Sequence, residues 1–479
     1  MKKPLLFSLI FPLLASCGTV PQMPLSQTNF DKQTITQNFA QLSQQPLPNE
    51  WRKVGQNFAT NPIKTLDCGE LQSGKTIVLT GQNQIPVTCD LWQKNTHFVI
   101  QSSDTSLDCQ GVAMSTGGSA TNQKITAFAI QTPQAVSEKP VSENDTKQGI
   151  GNVQLNNCIA VGYGHGVLVE QALPANARYE QLLQNKTNRD EQRKLSPSHI
   201  LLNRMLVADS KNSGIFIGDH VQDVTLANSR VMNAGTVGVY FEFGSRGNVV
   251  QDSHFSQNGI RQVVALGVKV GKPNREAIAI DSSQNNVIRR NRFDSNGGGG
   301  VFLYRNCFEH ADDPSQPNHF LRVDGSNGNL IENNIFQNEP VGVWVASRQS
   351  RNLKGFACGA YPITSDLTTS YHLDDAEQNV VTHNTFDKVE KGIIIEDNNN
   401  VVSFNRFLAH VKQPMSVGSD IRELSSEGVV KGNQINKNTF ANPRILQNIA
   451  FIGKSATANL HCDNMDKNGK KIDDVCLIN

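Results

Sequence analysis

Gly297-Gly-Gly-Gly-Val-Phe-Leu-Tyr-Arg-Asn-Cys307 is the stretch that decides the fold, because it follows an asparagine-rich turn and is repeated along the chain. Each copy has a turn segment followed by a strand segment. The clear copies are Asn285 to Phe293 followed by Gly297 to Cys307, Gly328 to Phe336 followed by Gly342-Val-Trp-Val345, and Gln378 to Phe386 followed by Gly392-Ile-Ile-Ile395. The weaker copies are Val224 to Val231 followed by Gly238-Val-Tyr-Phe241, and Gly247 to Phe255 followed by Ala277-Ile-Ala-Ile280. Each unit reads as a short strand, an Asn turn and a second short strand. One such unit cannot bury its apolar face, whereas stacked units can. The repeats therefore predict an all-β solenoid. Inside it, an amide ladder is predicted for Asn291, Asn334, Asn384 and Asn405, and a ring stack for Phe293, Phe336, Phe386 and Phe407.

The repeats resemble those of a known fold family. Asn-x-Phe turns followed by Gly-Ile or Gly-Val strands, with Leu107-Asp-Cys109 and Asn156-Asn-Cys158, resemble right-handed parallel β-helix repeats from roughly Leu66 to Asn448. They are similar to the NosD type of periplasmic copper protein and to the carbohydrate-binding and sugar-hydrolase domain family. The resemblance implies a single-stranded right-handed parallel β-helix. It selects no reaction, because such folds include polysaccharide lyases, uronan epimerases, glycoside hydrolases and binding proteins.

The chain divides into four parts. We predict a signal peptide over residues 1–16, a tether and N-terminal cap over 17–61, the β-helix over 62–450, and a C-terminal cap or tail over 451–479. A helical segment near Thr34 to Ser43 is the candidate cap for the open end. Insertions are expected at about 170–198, 262–275, 308–325 and 351–377. The last three are expected to leave after the Gly-Val-x-Val type of strand, so that the long loops gather on one side of the stack and form a site there.

The N-terminus predicts the compartment. Met1-Lys-Lys and the apolar run Leu5 to Leu14 read as a signal sequence too short to span a bilayer. Leu14-Ala15-Ser16-Cys17-Gly18 resembles a bacterial lipobox, which implies acylation of Cys17 and anchoring in the cell envelope, with outer-membrane sorting favoured. The alternative is an ordinary cleaved signal.

Eight cysteines remain after Cys17, an even number that favours disulfides in an oxidising compartment. The predicted pairs are Cys68–Cys89, Cys109–Cys158, Cys307–Cys358 and Cys462–Cys476. Cys109 and Cys158 occupy like places in successive coils, where stacked free thiols are the alternative.

Charge indicates no nucleic-acid partner, because 44 basic and 43 acidic residues leave a net charge of +1. The predicted partners are an acidic polysaccharide and the outer membrane, reached through the N-terminal lipid, and the chain is predicted to be a monomer. No cofactor is required by the sequence and no metal site is assigned, although Asp312 and Asp313 could bind Ca²⁺.

Strand alternation assigns residues to the two faces of the Gly-φ-x-φ-x strands, with the φ residues inside. One outward row reads Phe216, Tyr240, Ala279, Phe302, Trp344 and Ile394; the next reads Gly218, Glu242, Asp281, Tyr304, Ala346 and Glu396. Aromatic faces bind sugar rings, so Tyr240, Phe302 and Trp344 are candidate substrate-binding residues. The alternative is that the aromatic residues only pack beneath the insertions.

Two catalytic schemes follow from the outward rows. For a uronan lyase, Tyr304 or His310 would act as acid and base, while Arg305, Arg322 and Arg348 hold the substrate carboxylate. Arg246 and His319 are further substrate-binding candidates. For a hydrolase, Glu242 and Asp281 in adjacent coils would lie about 5 Å apart, the separation of a retaining pair; they could equally be solvated charges or a Ca²⁺ pair.

The function predicted first is a polysaccharide lyase anchored to the envelope. A glycoside hydrolase or a uronan C5-epimerase using the same face is the second prediction. The third is a protein that binds polysaccharide, or assists envelope assembly, without turnover.

Overall fold

Three long parallel sheets form the body of the computed structural model, which describes residues 31–42, 62–117, 125–132, 149–171, 188–308, 322–441 and 448–472. Sheet A has thirteen strands: Lys64–Thr65, Gln82–Gln84, Thr105–Asp108, Gly151–Asn156, Ser198–Asn203, Gln222–Ala227, Val249–Gln251, Val287–Arg289, Leu330–Glu332, Val380–Thr382, Val401–Ser403, Gln434–Asn436 and Leu460–Cys462. Sheet B has twelve: Thr76–Leu79, His97–Ile100, Thr126–Thr132, His165–Gln171, Ile215–Ile217, Val239–Phe241, Glu276–Asp281, Gly299–Tyr304, Val341–Val345, Lys391–Ile395, Gln413–Val417 and Ile449–Phe451. Sheet C has eleven: Ala113–Ser115, Ile159–Val161, Leu206–Ala208, Arg230–Met232, His254–Ser256, Arg292–Asp294, Ile335–Gln337, Thr385–Asp387, Arg406–Phe407, Thr439–Phe440 and Met465–Asp466. In the regular part of the stack each coil passes through sheet A, then C, then B, which confirms the predicted parallel β-helix.

Shorter elements surround the stack. The described α-helices are Lys32–Leu42, Cys68–Leu71 and Asn188–Leu195, and the 3-10 helices are Arg422–Leu424 and Gly453–Thr457. Two antiparallel hairpins pair Gln262–Ala265 with Val268–Gly271 and Pro362–Ser365 with Ser370–His372. In the part of the chain that the structure describes, no helix is both long and apolar enough to cross a membrane.

The predicted internal amide ladder is present at the bend between sheets A and C. Asn291, Asn334, Asn384 and Asn405 each donate Nδ2 to the Oδ1 of the asparagine in the next coil, at 3.0–3.1 Å. The residue before each ladder position adopts a left-handed backbone, as at Asn333 with φ 55°. That conformation turns the chain sharply, and the buried amides satisfy the backbone groups that the turn exposes.

A phenylalanine stack fills the core beside this ladder, as the sequence predicted. Rings 293, 336, 386 and 407 lie nearly parallel, with centroids 4.7–4.9 Å apart. The inward residues of sheet B, such as Val301 and Leu303, are fully buried. The predicted side assignment of the sheet B strands is therefore confirmed.

The N-terminal helix is present at Lys32–Leu42, but its predicted position over the open end is wrong. Its buried residues Ile35, Phe39 and Leu42 pack on the outward side chains of sheet C, including Ile159 and Leu206. Arg230, in the coil after that of Leu206, donates to Asn38 at 2.6 Å. The helix thus covers one side of the early coils, because the outward residues there are apolar and need covering.

Three of the predicted disulfides are present: Cys68–Cys89, Cys109–Cys158 and Cys307–Cys358. The fourth includes Cys476, which lies outside the described residues, as do Cys17 and the signal peptide.

The insertions do not all leave from the same side. The hairpin in 262–275 precedes its sheet B strand, Glu276–Asp281, and so leaves at the corner between sheets C and B. The insertion after Gly299–Tyr304 and the one after Val341–Val345 leave at the opposite corner, between sheets B and A. The expectation of a common exit was therefore wrong, and the outer face of sheet B instead has insertions along both edges.

Candidate active site on the outer face of sheet B

The predicted outward aromatic row is confirmed in its register. Parallel pairing aligns Phe216, Tyr240, Ala279, Phe302, Trp344 and Ile394 in successive coils. Phe216 stacks on Tyr240 with centroids 5.5 Å apart, and Phe302 meets Trp344 edge to face at 5.4 Å. Trp344 is half-buried, whereas Phe302 is 8% exposed and packs against Val341. The row is therefore partly packing, with Trp344 available as the aromatic wall.

A cleft of about 280 Å³ opens over this face between the two sets of insertions. It is lined by Pro273, Asn274, Arg275, Glu276, Phe302, Tyr304, Trp344, Ser347, Arg348, Ser350 and Arg351. Of the predicted site residues, the cleft brings together Phe302, Tyr304, Trp344 and Arg348.

Tyr304 is the polar centre of the cleft. Its hydroxyl donates to Glu276 Oε1 at 3.2 Å and accepts from Arg275 Nη2 at 3.0 Å. Arg275 also binds both carboxylate oxygens of Glu276, at 2.9 and 3.1 Å. The Arg348 guanidinium lies over the Tyr304 ring, with Cζ 4.7 Å from the centroid. The phenol is thus held between a carboxylate that can accept its proton and two cations.

Burial and charge set the protonation states of this group. Burial, with the Glu276 charge adding to it, raises the pKa of Tyr304 well above its ordinary value. Burial alone would also raise the pKa of Glu276, but attraction and hydrogen bonds from Arg275 outweigh it, and the pKa falls below its ordinary value. At neutral pH the pair is therefore a neutral phenol beside an ionised carboxylate.

A second acid lies next to the cleft wall. Ser350, which lines the cleft, donates its hydroxyl to Glu396 Oε1 at 2.8 Å. Burial raises the pKa of Glu396 to about 8, so this carboxyl keeps its proton at neutral pH. Two carboxyl groups with opposite protonation states can serve as a general acid and a general base.

Asp374 fixes the backbone around this site. Its carboxylate accepts the backbone N–H of Arg305 and, at 2.9 Å, that of Arg348. Burial raises the pKa of Asp374 to about 7. Because Arg305 and Arg348 follow the sheet B strands that carry Tyr304 and Trp344, Asp374 orients two walls of the cleft.

Glu242 and Asp281 do not form an accessible catalytic pair. Both point away from the core as predicted, but Arg322 covers them: its guanidinium bonds Glu242 Oε1 and lies 3.8 Å from Asp281 Oδ2. Tyr240 donates to Asp281 Oδ2 at 2.6 Å. The Arg322 side chain is 1% exposed and does not line the cleft, so the prediction that it holds a substrate carboxylate is wrong. The cluster is a buried ionic contact between the 308–325 insertion and sheet B.

The other predicted residues lie away from the cleft or outside the described chain. Arg305 pairs with Asp375, with Nη1 3.4 Å from Oδ2, and does not line the cleft. Arg246, a predicted substrate-binding residue, donates to Gln222 Oε1 at 3.1 Å near sheet A and does not line the cleft. His310, His319, Asp312 and Asp313 fall outside the described residues.

The sequence reasoning missed Arg275, Glu276 and Asp374. Glu276 directly precedes the Ala277-Ile-Ala-Ile280 motif, and Asp374 lies at the end of an insertion. What could have identified them is their position, because each is a charged residue near the junction between an insertion and a repeat strand. At such a junction the insertion can place the side chain over the sheet.

One group of potential metal ligands occurs among the described residues. The ligand atoms of Cys307, Cys358 and His372 lie within 4.8 Å of one another. The two sulfur atoms are joined as a disulfide, so they are not available as thiolate ligands in this state.

Comparisons with known proteins agree on the architecture. Residues 191–355 match the right handed beta helix region family, and residues 315–449 match the periplasmic copper-binding protein (NosD) family. The NosD match is compatible with an envelope location. No curated protein matches the chain significantly.

Solved structures of similar shape include proteins that act on different sugars. The A-module of mannuronan C-5 epimerase AlgE4 from Azotobacter vinelandii is 10% identical, with a TM-score of 0.46 over 86% of this chain and 94% of that one. The catalytic domain of a GH87 alpha-1,3-glucanase is 8% identical, with a TM-score of 0.45 over 84% and 62%. An alginate lyase from Paenibacillus sp. str. FPU-7 is 13% identical, with a TM-score of 0.33 over 85% and 95%. These likenesses carry no conclusion about activity. The strand order of the three sheets and the match to the right handed beta helix region family show that the chain is a right-handed parallel β-helix.

Proposed function

We propose that the protein cleaves an acidic polysaccharide by β-elimination at the cleft on sheet B. The observation that carries the proposal is the Tyr304 hydroxyl, held 3.2 Å from Glu276 Oε1 and 3.0 Å from Arg275 Nη2 beneath Arg348. A phenol in contact with both a carboxylate and a guanidinium can give up a proton and take one back.

Binding in this cleft would use charge and ring stacking. Arg348 and Arg351 line the opening and can bind the substrate carboxylate through paired N–H groups. Trp344 offers an apolar face for a sugar ring. Neutralising the carboxylate makes the C5 proton of a uronate more acidic, which is the main requirement for elimination.

The proton steps balance within the cleft. Tyr304 passes its proton to Glu276 in the same step in which its oxygen takes the C5 proton, so that no free phenolate forms. The C5 electron pair forms the C4=C5 double bond, and the C4–O bond breaks. The leaving oxygen takes a proton from Tyr304 as the proton on Glu276 returns to the tyrosine oxygen, and Arg275 stabilises the negative charge that develops on that oxygen. Tyr304 is the catalytic acid and base in this scheme, and Glu276 and Arg275 tune it.

A glycoside hydrolase is the second candidate, and the opposite protonation states of Glu276 and Glu396 favour it. Glu396, with a pKa of about 8, would protonate the leaving oxygen, and ionised Glu276 would activate water. The pair replaces Glu242 and Asp281, which are covered by Arg322.

Product analysis separates the candidates. The chain from Gly18 to Asn479 is incubated with alginate, pectate, glycosaminoglycan and capsule preparations, with and without Ca²⁺, and ultraviolet absorbance of unsaturated uronate is recorded together with reducing ends. Both signals rise for a lyase, whereas a hydrolase produces reducing ends alone. Retention of a uronan on immobilised protein with neither product would contradict cleavage and support a binding protein.

We further propose that the mature protein is anchored to the cell envelope through Cys17. The lipobox-like sequence supports this, and the NosD match is compatible with it. Labelled fatty acid should be incorporated into the wild-type chain and not into a Cys17→Ser variant; equal labelling of both would contradict the anchor.

A further inference from the structure

We infer that the projecting hairpin Gln262–Gly271 inserts its tip into the surface of an anionic phospholipid bilayer. Its strands pair Val263 with Val270 and Ala265 with Val268, so these four side chains share one face. All four are exposed, and Leu266 at the turn is fully exposed, at 104% of its reference area. Apolar groups crowded on one projecting hairpin are costly in water and require a partner.

The hairpin is built to project as a defined unit. Leu266 and Gly267 both have positive φ, 50° and 79°, the two-residue turn that matches the twist of paired strands. At the base, Asn274 Oδ1 accepts the backbone N–H of Arg261 at 2.8 Å and that of Gln262 at 2.5 Å. The apolar tip is therefore held away from the body of the β-helix.

Charge identifies the partner. No acidic residue occurs from 261 to 275. Lys269, on the opposite face of the hairpin, and Lys272, just after its second strand, are both exposed. An apolar tip flanked by lysines matches the acyl boundary and the anionic headgroups of a membrane surface. Two copies joined through this hairpin would bring their lysines together, and a sugar chain would meet no aromatic ring there.

Vesicle binding tests the inference with protein that begins at Gly18 and therefore carries no acyl chain. Co-sedimentation with phosphatidylglycerol–phosphatidylcholine vesicles should exceed that with phosphatidylcholine alone. A Val268→Asp/Leu266→Asp variant should bind at least tenfold more weakly, and each lysine changed to Gln should weaken binding about fivefold at low salt. Leu266→Trp should show blue-shifted emission with the anionic vesicles.

The second hairpin supplies a matched control. Leu367 is 96% exposed at its turn, but no lysine or arginine occurs from 356 to 372, so Leu367→Asp should leave vesicle binding unchanged. Three results would overturn the inference: equal binding to both vesicle types, wild-type binding by the Val268/Leu266 variant, or a dimer that this variant abolishes. The hairpin tip lies outside the cleft, so polysaccharide cleavage by the variant is measured separately. Loss of cleavage would count against the proposed function, whereas only vesicle binding tests the membrane inference.

Discussion

Glu339 ends a second buried ladder, and replacing it with glutamine should stabilise the protein in a pH-dependent way. Asn258 donates to Asn296, and Asn296 donates Nδ2 to Glu339 Oε1 at 2.7 Å. The Glu339 side chain is buried, and among the residues that the structure describes none is a hydrogen-bond partner of Oε2. Burial raises the pKa of Glu339 well above its ordinary value of 4.5, so the folded chain holds this carboxyl in its protonated form.

The sign of the effect follows from proton binding. Above pH 4.5 the unfolded chain releases the proton while the folded chain keeps it, so this residue lowers stability as pH rises. As the pH rises above 4.5, the free energy of unfolding of Glu339→Gln minus that of wild type should increase by about 1.4 kcal/mol per pH unit. The increase should continue until the pH reaches the folded-state pKa of Glu339 and should then level off.

Urea unfolding from pH 4 to pH 8 measures this difference. Below pH 4.5 the two proteins should agree within about 1 kcal/mol, because both side chains are neutral. Glu390→Gln, a change at an exposed carboxylate in the next coil, is the control and should give a small difference without this slope. If the difference in free energy of unfolding between Glu339→Gln and wild type does not change with pH, Glu339 does not keep its proton in the folded chain.

Three further perturbations test other contacts. Asn384→Ala should lower the free energy of unfolding by about 1–3 kcal/mol, measured in urea, because it removes the bond to Asn405 and leaves buried amides unpaired; no change would contradict the ladder's role. Arg322→Met should destabilise by about 3–5 kcal/mol at pH 7, since it leaves the Glu242 and Asp281 carboxyls buried without their cation; a neutral effect in the same assay would show that the cluster is solvated. Replacing Cys307 and Cys358 together with serine should lower the thermal midpoint, corresponding to about 2–4 kcal/mol, and a midpoint equal to that of wild type in calorimetry would contradict a structural disulfide.

The repeated part of the fold could be predicted from the sequence because its interactions recur at fixed positions. Asn334 and Phe336 have counterparts in each neighbouring coil, so their ladder and stack are visible as aligned columns. The outward placement of Tyr304 and Trp344 followed from strand alternation in the same way.

The candidate site was only partly predictable because half of it comes from outside the repeats. Arg275 and Asp374 lie in or at the end of insertions, which have no aligned copies to fix their positions. Arg322 was misassigned because its charge suits a substrate carboxylate as well as it suits Glu242. The sequence shows which residues are charged, whereas only the packed structure shows which of them form ion pairs with each other within the protein.

The role of Tyr304 in elimination is tested by comparing two tyrosine variants on a polymer that the wild-type protein degrades. Tyr304→Phe removes the phenol of the cleft, whereas Tyr240→Phe removes a phenol of the same sheet face that bonds Asp281 and does not line the cleft. Initial rates of unsaturated-uronate formation are measured after thermal midpoints confirm that both variants are folded. If Tyr304 is the catalytic acid and base, the rate should fall at least a hundredfold in Tyr304→Phe and should stay near the wild-type rate in Tyr240→Phe. Wild-type elimination by folded Tyr304→Phe would contradict it.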